Sequence, residues 1–427
     1  MADIFNTPEY KRSRGAYTGQ CAFEYFVSIL VTDAFLAKLL SSMGVSDALI
    51  GIISSFISFA FLFQLFSLFL VQKITNTKKI ATIFNTLSSL LFLCAYLIPF
   101  IPCGKTLKTV LVMLCILLGY FTNYSVTSII YKWGNSFVRP TKRADYSATK
   151  EMISLVTGMI FTFFVGKIID NYEALDNIRG GFLFIAATIF IVSVCNFVSL
   201  LMISKESDTA KTKKAPLKAV LKHTISNKNF SNVLILTVIW DVARYATIGF
   251  MGIYKTKELL LSVGTVQIIN IAGNFFRFVF SKPIGKYSDK HSFVKGFKLA
   301  LYIAAAGFFI NIFSAPSSVW CVIVFTVLYS VSIAGTHQNS FNMVYSYVDS
   351  EYFVQASAIK NSLGGIVGFL SSLVAGKLLS VIQNNGNTLF GLPVYGQQVL
   401  SAISFILIVA AIIFIRKVME KQKIMIQ

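Results

Sequence analysis

Long apolar runs follow one another along almost the whole chain, and they constrain its fold more than any other feature. A helix needs about 20 mostly apolar residues to cross a bilayer, and polar breakers divide this chain into twelve such runs. In chain order they are Tyr17–Ser42, Asp47–Val71, Ile80–Ile101, Leu107–Phe137, Asp145–Ile169, Arg179–Ile203, Asn232–Tyr254, Val263–Tyr287, Phe293–Phe313, Ser318–Val348, Tyr352–Val381 and Val399–Ile415. With 55% hydrophobic and 13% charged residues, the chain lacks the polar surface of a soluble domain. The sequence therefore predicts an all-α membrane protein with twelve transmembrane helices.

The loop charges predict how these helices are oriented. Lysine and arginine cluster in alternate loops, for example at Lys78–Lys79 and Lys142–Arg143, whereas Ser41–Ser46 and Ser314–Ser318 carry none. Because basic residues are retained on the cytoplasmic side, both termini are expected in the cytoplasm and the chain in the cell membrane as a multi-pass protein. The net charge of +20 does not indicate nucleic-acid binding, since these residues form no stripe on a water-soluble surface.

The chain divides near its middle at its longest polar stretch. The predicted organisation is a cytoplasmic N-terminal segment (1–16), a six-helix bundle (17–203), a cytoplasmic central loop (204–231), a second six-helix bundle (232–415) and a cytoplasmic tail (416–427). A shift of 210 residues places Ser147–Ala148–x–Lys150 on Ser357–Ala358–x–Lys360, Gly158 on Gly368, and Gly166–Lys167 on Gly376–Lys377. This internal repeat predicts two pseudo-symmetric six-helix bundles.

With these features the chain resembles the major facilitator superfamily over essentially its full length. The best local match is Gly285–Lys286–Tyr287–Ser288–Asp289–Lys290, which is similar to the start of that family's loop signature, although Ser292 replaces a usual glycine. The resemblance implies a gating loop with Gly285, Asp289 and Lys290, in which Asp289 pairs across the cytoplasmic ends of helices. The corresponding first-half loop departs from the pattern, and the G-x-x-x-G-P run of proton-driven drug exporters is missing from the fifth span.

Charged residues inside the spans are candidates for function, because ionised groups in a bilayer are costly. In the first span Gln20 and Glu24 share a face with Lys38, and Asp33 projects from the opposite side. Glu24 or Asp33 is expected to carry a coupling proton. The alternative for each is an ion pair with a neighbouring helix.

The seventh span contains Asp241 and Arg244, which are close enough to neutralise each other. Against this purely structural role, Phe23–Glu24 and Trp240–Asp241 are interpreted as the same aromatic–acid pair in the two halves. Matching acids at equivalent positions favour a cavity.

Three further spans have polar faces. Gln267, Asn270, Asn274 and Arg277 form a stripe on the eighth span, where Arg277 is expected to bind substrate, to pair with an acid or to reach the inner interface. The fourth span presents Tyr120, Asn123, Tyr124 and Thr127, a set of rings, hydroxyls and amides that suits a neutral polyhydroxylated ligand. His337 and Gln338 lie in the tenth span, where His337 is either a proton relay or a hydrogen-bonded structural residue.

These patterns predict a secondary active transporter that moves a small polar solute, with a sugar or glycoside favoured, by alternating access and with a proton or ion gradient. The expected partners are the solute, the coupling ion and membrane lipids, and the protein is expected to be a monomer. The sequence has no G-x-x-x-x-G-K-[ST] motif and no catalytic or metal-ligand set, so neither enzyme activity nor a cofactor is expected. Alternatives are an exporter of drug-like or amphipathic compounds, and a non-transporting membrane sensor or lipid scramblase.

Overall fold

The computed structural model describes residues 4–66, 76–139, 143–205, 226–348, 353–389 and 391–421. Helices dominate these ranges, and two short strands form a hairpin. The helices are α1 (Pro8–Leu30), α2 (Asp33–Ser42), α3 (Asp47–Ser54), α4 (Phe56–Ala60), α5 (Thr77–Leu97), α6 (Lys105–Asn135), α7 (Arg143–Ala174), α8 (Ile178–Met202), α9 (Lys228–Ile253), α10 (Val263–His291), α11 (Phe293–Asn311), α12 (Trp320–Tyr347), α13 (Phe353–Asn384) and α14 (Gly396–Lys417); the strands are β1 (Thr388–Leu389) and β2 (Leu392–Pro393). Most of the predicted central loop, 206–225, lies outside the described residues.

Eleven helical segments within the described ranges are long and apolar enough to cross a membrane, and they correspond to the second to twelfth predicted spans. The first predicted span, Tyr17–Ser42, is not among them. It is divided between α1, whose first half is polar and charged, and α2, which has only ten residues.

The break between α1 and α2 corrects the prediction of one continuous helix. The chain leaves the helical conformation at Val31 and Thr32 and restarts at Asp33, whose φ of +46° lies in the left-handed region. Inside a membrane the freed carbonyl groups need donors. The Thr32 hydroxyl donates to the Ser28 carbonyl at 3.0 Å, and the buried Tyr96 hydroxyl donates to that of Leu30. Because the helical phase is interrupted, Lys38 no longer shares a helix face with Glu24.

One compact unit comprises Met1–Val45 and Phe63–Lys214. In it α1 packs against α7 and α8, and α5 packs against α6 and α8. An apolar core that includes the fully buried Trp133 fills one end of this unit. A buried amide pair, in which Asn196 donates to Asn85 at 2.6 Å, joins α5 to α8.

The other compact unit comprises Ser46–Leu62 and Ala215–Gln427. By its contacts α3 therefore groups with the second half of the chain, whereas the predicted N-terminal bundle (17–203) includes it. Gly51 of α3 packs so closely on Phe250 of α9 that an added Cβ would lie 1.9 Å from the ring. The buried Asp47 carboxylate accepts hydrogen bonds from Lys257 at 2.7 Å and Gln383 at 2.8 Å. These contacts fix the start of the second span within this unit.

Helix α10 continues beyond the predicted end of the eighth span. Gly285, Asp289 and Lys290 therefore lie in its last two turns, which corrects their expected placement in a loop. The chain turns after His291, where the Ser292 hydroxyl accepts a hydrogen bond from the Lys295 amide at 3.2 Å and caps α11. This capping role explains why serine fits at a position where the family usually has glycine.

Candidate functional site

The predicted site residues form two main polar clusters, one in each compact unit. The Glu24 cluster consists of Gln20, Glu24, Asn123 and Thr127 in the first unit. The Arg244 cluster consists of Asp241, Arg244, Arg277, His337 and Lys360 in the second unit.

The Glu24 cluster joins α1 to α6 through the Glu24 carboxylate. The side-chain amide of Gln20, one turn earlier, donates to Oε2 at 2.6 Å, and the amide of Asn123 donates to Oε1 at 2.9 Å. The Thr127 hydroxyl lies 3.0 Å from the Asn123 Oδ1 and orients that amide. Gln20 is fully buried, whereas Glu24 remains partly accessible. Each carboxylate oxygen therefore has a neutral donor, and no ion pair joins Glu24 to another described residue.

A lysine of α7 lies close to the same helix α1. The Lys150 ammonium donates to the Tyr17 hydroxyl at 3.1 Å and lies 4.4 Å from the centre of the Tyr17 ring and 5.6 Å from that of Tyr131. It is also within reach of the Cys21 thiol. Aromatic rings thus hold this cation.

The tyrosines of α6 do not all present open ring faces. Tyr120 is 4% exposed and packs edge-on against Phe92, so it belongs to the interior of the unit. Tyr124 contacts Tyr120 edge-on and is half-buried, as is Asn123. Among the four predicted ligand-binding residues of α6, Asn123, Tyr124 and Thr127 remain accessible.

Asp33, the other predicted proton carrier, occupies the first position of α2. Its left-handed backbone is tolerated better by aspartate than by most residues. It is half-buried. Its position at the helix break separates it from the Glu24 cluster, so the two carboxylates are two independent candidates.

In the Arg244 cluster an ion pair on α9 is extended by a histidine of α12. Arg244 Nε lies 2.8 Å from Asp241 Oδ1, with the two side chains 13% and 9% exposed. Arg244 Nη1 lies 3.4 Å from His337 Nε2, and Nη2 donates to the Tyr245 hydroxyl at 3.1 Å. His337 is itself exposed. The predicted Asp241–Arg244 pair is therefore formed, and it also orients a more accessible histidine.

Two more cations complete this cluster. Lys360 of α13 donates to the Ser340 hydroxyl at 2.7 Å and interacts electrostatically with Asp241. Arg277 of α10 interacts electrostatically with His337. Helix α13 approaches α9 closely here, since a Cβ added to Gly364 would lie 2.0 Å from Asp241 Oδ2. Three helices thus bring charged groups, and a fourth brings a histidine, to one place.

The predicted stripe on α10 is divided between two environments. The Asn270 amide donates to Gln267 at 3.3 Å, and the buried Lys255 donates to Asn270 at 3.3 Å. Asn274 is half-buried between this network and Arg277. The first part of the stripe, Gln267 and Asn270, therefore contacts other polar groups of the second unit. Its last residue, Arg277, belongs to the Arg244 cluster.

The remaining predicted residues lie near the end of α10. Gly285 is buried against the side-chain amide of Gln338, and a Cβ at this glycine would lie 2.9 Å from that nitrogen. Asp289 and Lys290 are exposed. A gating role for these residues stays a prediction.

Equivalent glycines show which residues of α1 and α9 correspond. Gly158 and Gly368, matched by the 210-residue repeat, each pack on a tyrosine ring: an added Cβ would lie 2.3 Å from Tyr25 Cε1 and 2.4 Å from Tyr245 Cδ2, respectively. The two tyrosines are 220 residues apart in the sequence. The residue that precedes Tyr25, Glu24, is therefore equivalent to the residue that precedes Tyr245, Arg244. The interpretation of Glu24 and Asp241 as matching acids is therefore wrong. Equivalent residues of α1 and α9 are 220 positions apart, whereas those of α7 and α13 are 210 positions apart.

Three lysines that lie in or near the polar clusters were not predicted as site residues. Lys150 and Lys360 entered the sequence analysis only as repeat markers, and Lys255 lies one residue beyond the predicted end of the seventh span. Lys150 and Lys360 could have been identified from the sequence. They occupy equivalent repeat positions inside apolar runs, where a charged side chain has a free-energy cost and is therefore a candidate for function. Within the described ranges no group of three or more His, Cys, Asp or Glu side chains could hold a metal ion.

Comparisons with known proteins place this architecture in a family. The family model described as Major Facilitator Superfamily matches residues 19–372. Among solved structures, a point mutant of the nucleoside transporter NupG is 12% identical with a TM-score of 0.73, covering 95% of this chain and 99% of that chain. A bacterial homologue of the human lysosomal transporter Spinster, inward-facing and unoccupied, is 15% identical with a TM-score of 0.70 over 96% of this chain and 97% of that one. No curated protein sequence is significantly similar.

A third solved structure extends the likeness to the whole chain. A point mutant of the E. coli fucose:proton symporter FucP is 12% identical with a TM-score of 0.57, covering 99% of this chain and 100% of that one. At such identities the likeness concerns the fold, and it confirms the predicted all-α architecture of twelve transmembrane helices in two pseudo-symmetric bundles. Since the family model covers most of the sequence, this multi-pass membrane protein belongs to the major facilitator superfamily of transporters.

Proposed function

We propose that the protein is a secondary active transporter that moves a small polar solute across the cytoplasmic membrane by alternating access, with Glu24 as the carrier of a coupling proton. It acts as a monomer with both termini in the cytoplasm. The observation that carries this proposal is the Glu24 carboxylate, which lies within the first span and is held by two neutral amides.

The neutral donors matter because they leave the charge of Glu24 uncompensated. A carboxylate that is paired with a cation is held in its ionised form, whereas amide donors stabilise it more weakly. An ionised group within a bilayer is costly unless water or a counter-charge reaches it. Proton uptake removes that cost. Glu24 would therefore bind and release one proton as the access of water to its carboxylate changes.

The solute side of the proposal rests on the accessible polar groups near this carboxylate. Asn123, Tyr124 and Thr127 offer an amide, a phenol and a hydroxyl within little more than one turn of α6. Such groups donate and accept hydrogen bonds to a polar solute, and the tyrosine ring supplies apolar contact. Two solved structures of similar fold are those of a nucleoside transporter and of a fucose:proton symporter, and nucleosides and fucose are polar solutes.

The test is proton movement on addition of solute. Purified protein is reconstituted in liposomes that contain a pH-sensitive dye, and a panel of sugars, glycosides, nucleosides and small organic acids is added outside. We expect at least one solute to carry protons inward with the native protein. Glu24→Gln should abolish the proton signal while solute counterflow continues, because a permanently neutral side chain permits exchange without proton release.

Glu173→Gln is the matched control. Glu173, at the end of α7, pairs with Lys38, and its side chain is 43% exposed. This variant should retain the proton signal. Asp33→Asn tests the second candidate, and loss of coupling in this variant alone would transfer the proton role to Asp33. Absence of both proton movement and counterflow for every solute would overturn the proposed transport function.

A further inference from the structure

Helix α10 has an exposed face on the side opposite its predicted polar stripe. The residues of this face follow one another at steps of seven, four, three, four and four, which keeps them on one side of a helix with 3.6 residues per turn. All of them are exposed, and together they are called the lysine face: Ile268, Phe275, Val279, Lys282, Lys286 and Lys290. Arg277 and the rest of the polar stripe lie on the other side of the helix, so the lysine face is separate from the Arg244 cluster.

The lysine face changes from apolar to basic at one level along the helix. Up to Val279 it is apolar, and the neighbouring Phe276, Phe278 and Phe280 are exposed as well. Beyond this level the three lysines follow at intervals of one turn. Because α10 is long and apolar enough to cross a membrane, the exposed rings contact acyl chains and the lysine ammonium groups reach the headgroups.

A proline at the same level adds a polar backbone group. Pro283 lies inside α10 and has no amide hydrogen, so it cannot donate to the Val279 carbonyl one turn earlier. Next to hydrocarbon such a carbonyl needs another donor. Val279 is exposed on the same face as Lys282. The lysine face therefore offers a hydrogen-bond acceptor as well as cations to a headgroup that carries hydroxyl groups.

The three lysines repel one another in the absence of an anion. Lys282 and Lys286 are four residues apart, as are Lys286 and Lys290, and like charges at this spacing destabilise a helix. Asp289 is exposed near them, but within the described part of the chain no ion pair joins it to any of these lysines. A phosphate between two of the lysines removes the repulsion and accepts a charge-assisted hydrogen bond from each.

We propose that the lysine face of α10 binds an anionic phospholipid. The lipid phosphate lies between Lys282 and Lys286, and an acyl chain runs along Phe275 and Val279. A phospholipid fits better than a free anion, because the apolar part of the face continues directly from the basic part. In the orientation proposed above this end of α10 faces the cytoplasm, where the membrane leaflet carries anionic lipids. The binding itself requires neither this orientation nor transport.

Quenching of a tryptophan by brominated lipids tests the proposal at this place. Phe275→Trp introduces the reporter in a Trp320→Phe background, because Trp320 is exposed whereas Trp133 and Trp240 are buried. The full chain is reconstituted in vesicles of phosphatidylcholine and phosphatidylglycerol, with bromine on the acyl chains of one lipid at a time. We expect phosphatidylglycerol to bind more than about tenfold more tightly than phosphatidylcholine, since each of two lysines contributes about 1 kcal/mol near an anionic surface.

Removal of either charge should reduce this preference. Lys282→Gln and Lys286→Gln should each lower it by about fivefold, and the double variant should bind the two lipids almost equally. Lys377→Gln is the matched control, because Lys377 is also exposed beside exposed apolar residues, Val374 and Val381, but stands alone on its face of α13. This variant should keep the full preference.

The conservative variant Lys282→Arg separates charge from packing. It retains the positive charge and should therefore retain the preference for phosphatidylglycerol. Loss of the preference in Lys282→Arg would mean that the lysine acts through its shape, and it would overturn the proposal. The same conclusion follows if the reporter is quenched equally by the two lipids, if the double glutamine variant keeps the preference, or if Lys377→Gln lowers it as much as Lys282→Gln does.

Discussion

Substitution of Gly364 by alanine should disrupt the Asp241–Arg244 ion pair from the neighbouring helix. The added Cβ would lie 2.0 Å from Asp241 Oδ2 and 3.1 Å from Thr237 Cγ2. To reach an ordinary contact of 3.4 Å, the carboxylate oxygen must withdraw by 1.4 Å, or the helix must move by a similar distance. Since the other oxygen of Asp241 makes the 2.8 Å contact with Arg244, such a movement strains or breaks the pair.

We expect Gly364→Ala to lower the free energy of unfolding by about 3 kcal/mol, the lower end of the range for breaking a buried ion pair. The measurement is unfolding of the purified protein in detergent. Gly15→Ala is the control, because nothing lies within 4 Å of a Cβ at Gly15 of α1. That variant should be neutral or more stable by up to about 1 kcal/mol, owing to the better helix propensity of alanine.

A double-mutant cycle isolates the proposed contact. Asp241→Ala removes the oxygen that the new methyl group would meet, so Gly364→Ala should cost little when it is added to Asp241→Ala. The coupling free energy should therefore be a large part of the cost of the single glycine substitution. Equal costs of Gly364→Ala in the two backgrounds, or a native unfolding midpoint for Gly364→Ala alone, would refute the reasoning.

Two other predictions concern contacts that hold helices in place. Lys257→Met leaves the buried Asp47 carboxylate with Gln383 as its donor and should lower the free energy of unfolding by about 1–3 kcal/mol. The unfolding midpoint should recover in part when Asp47→Asn is added to this variant. No recovery would contradict the ion-pair explanation. Tyr96→Phe removes the hydroxyl that donates to the Leu30 carbonyl at the helix break and should cost about 1–3 kcal/mol in the same measurement, because the carbonyl is left unsatisfied. A native midpoint for Tyr96→Phe would mean that another donor satisfies this carbonyl.

The sequence predicted the helices well because apolar runs of bilayer length have few structural alternatives. It also predicted that Gln20 and Glu24 lie on one face, since residues four apart are neighbours within one helix. The break at Thr32 and Asp33 was missed because two polar residues in a long apolar run are equally compatible with a continuous helix. The donors that satisfy the freed carbonyls include Thr32 itself and the tertiary donor Tyr96, which is 66 residues from Leu30 and could not be placed there from the sequence.

The candidate site was predicted less completely, for a different reason. The repeat of 210 residues was assumed to hold for every helix, and this assumption paired Glu24 with Asp241. Loops of unequal length between the halves change the shift from helix to helix, and a sequence without spatial contacts cannot show where the change occurs. The contacts of Gly158 and Gly368 with their tyrosines resolve the correspondence. Buried lysines such as Lys255 were missed because a charged residue at the end of an apolar run is normally assigned to a loop.

The shared glycine–tyrosine contact has a consequence for how such proteins diversify. Tyr25 and Tyr245 lock their helices into the same relation with α7 and α13, respectively, although the residue just before each tyrosine is acidic in one half and basic in the other. The packing of the glycine on the tyrosine ring is thus compatible with either an acidic or a basic residue just before the tyrosine. A duplicated ancestor could exchange glutamate for arginine there without repacking either bundle. New solute preferences would then arise from single substitutions on an unchanged frame.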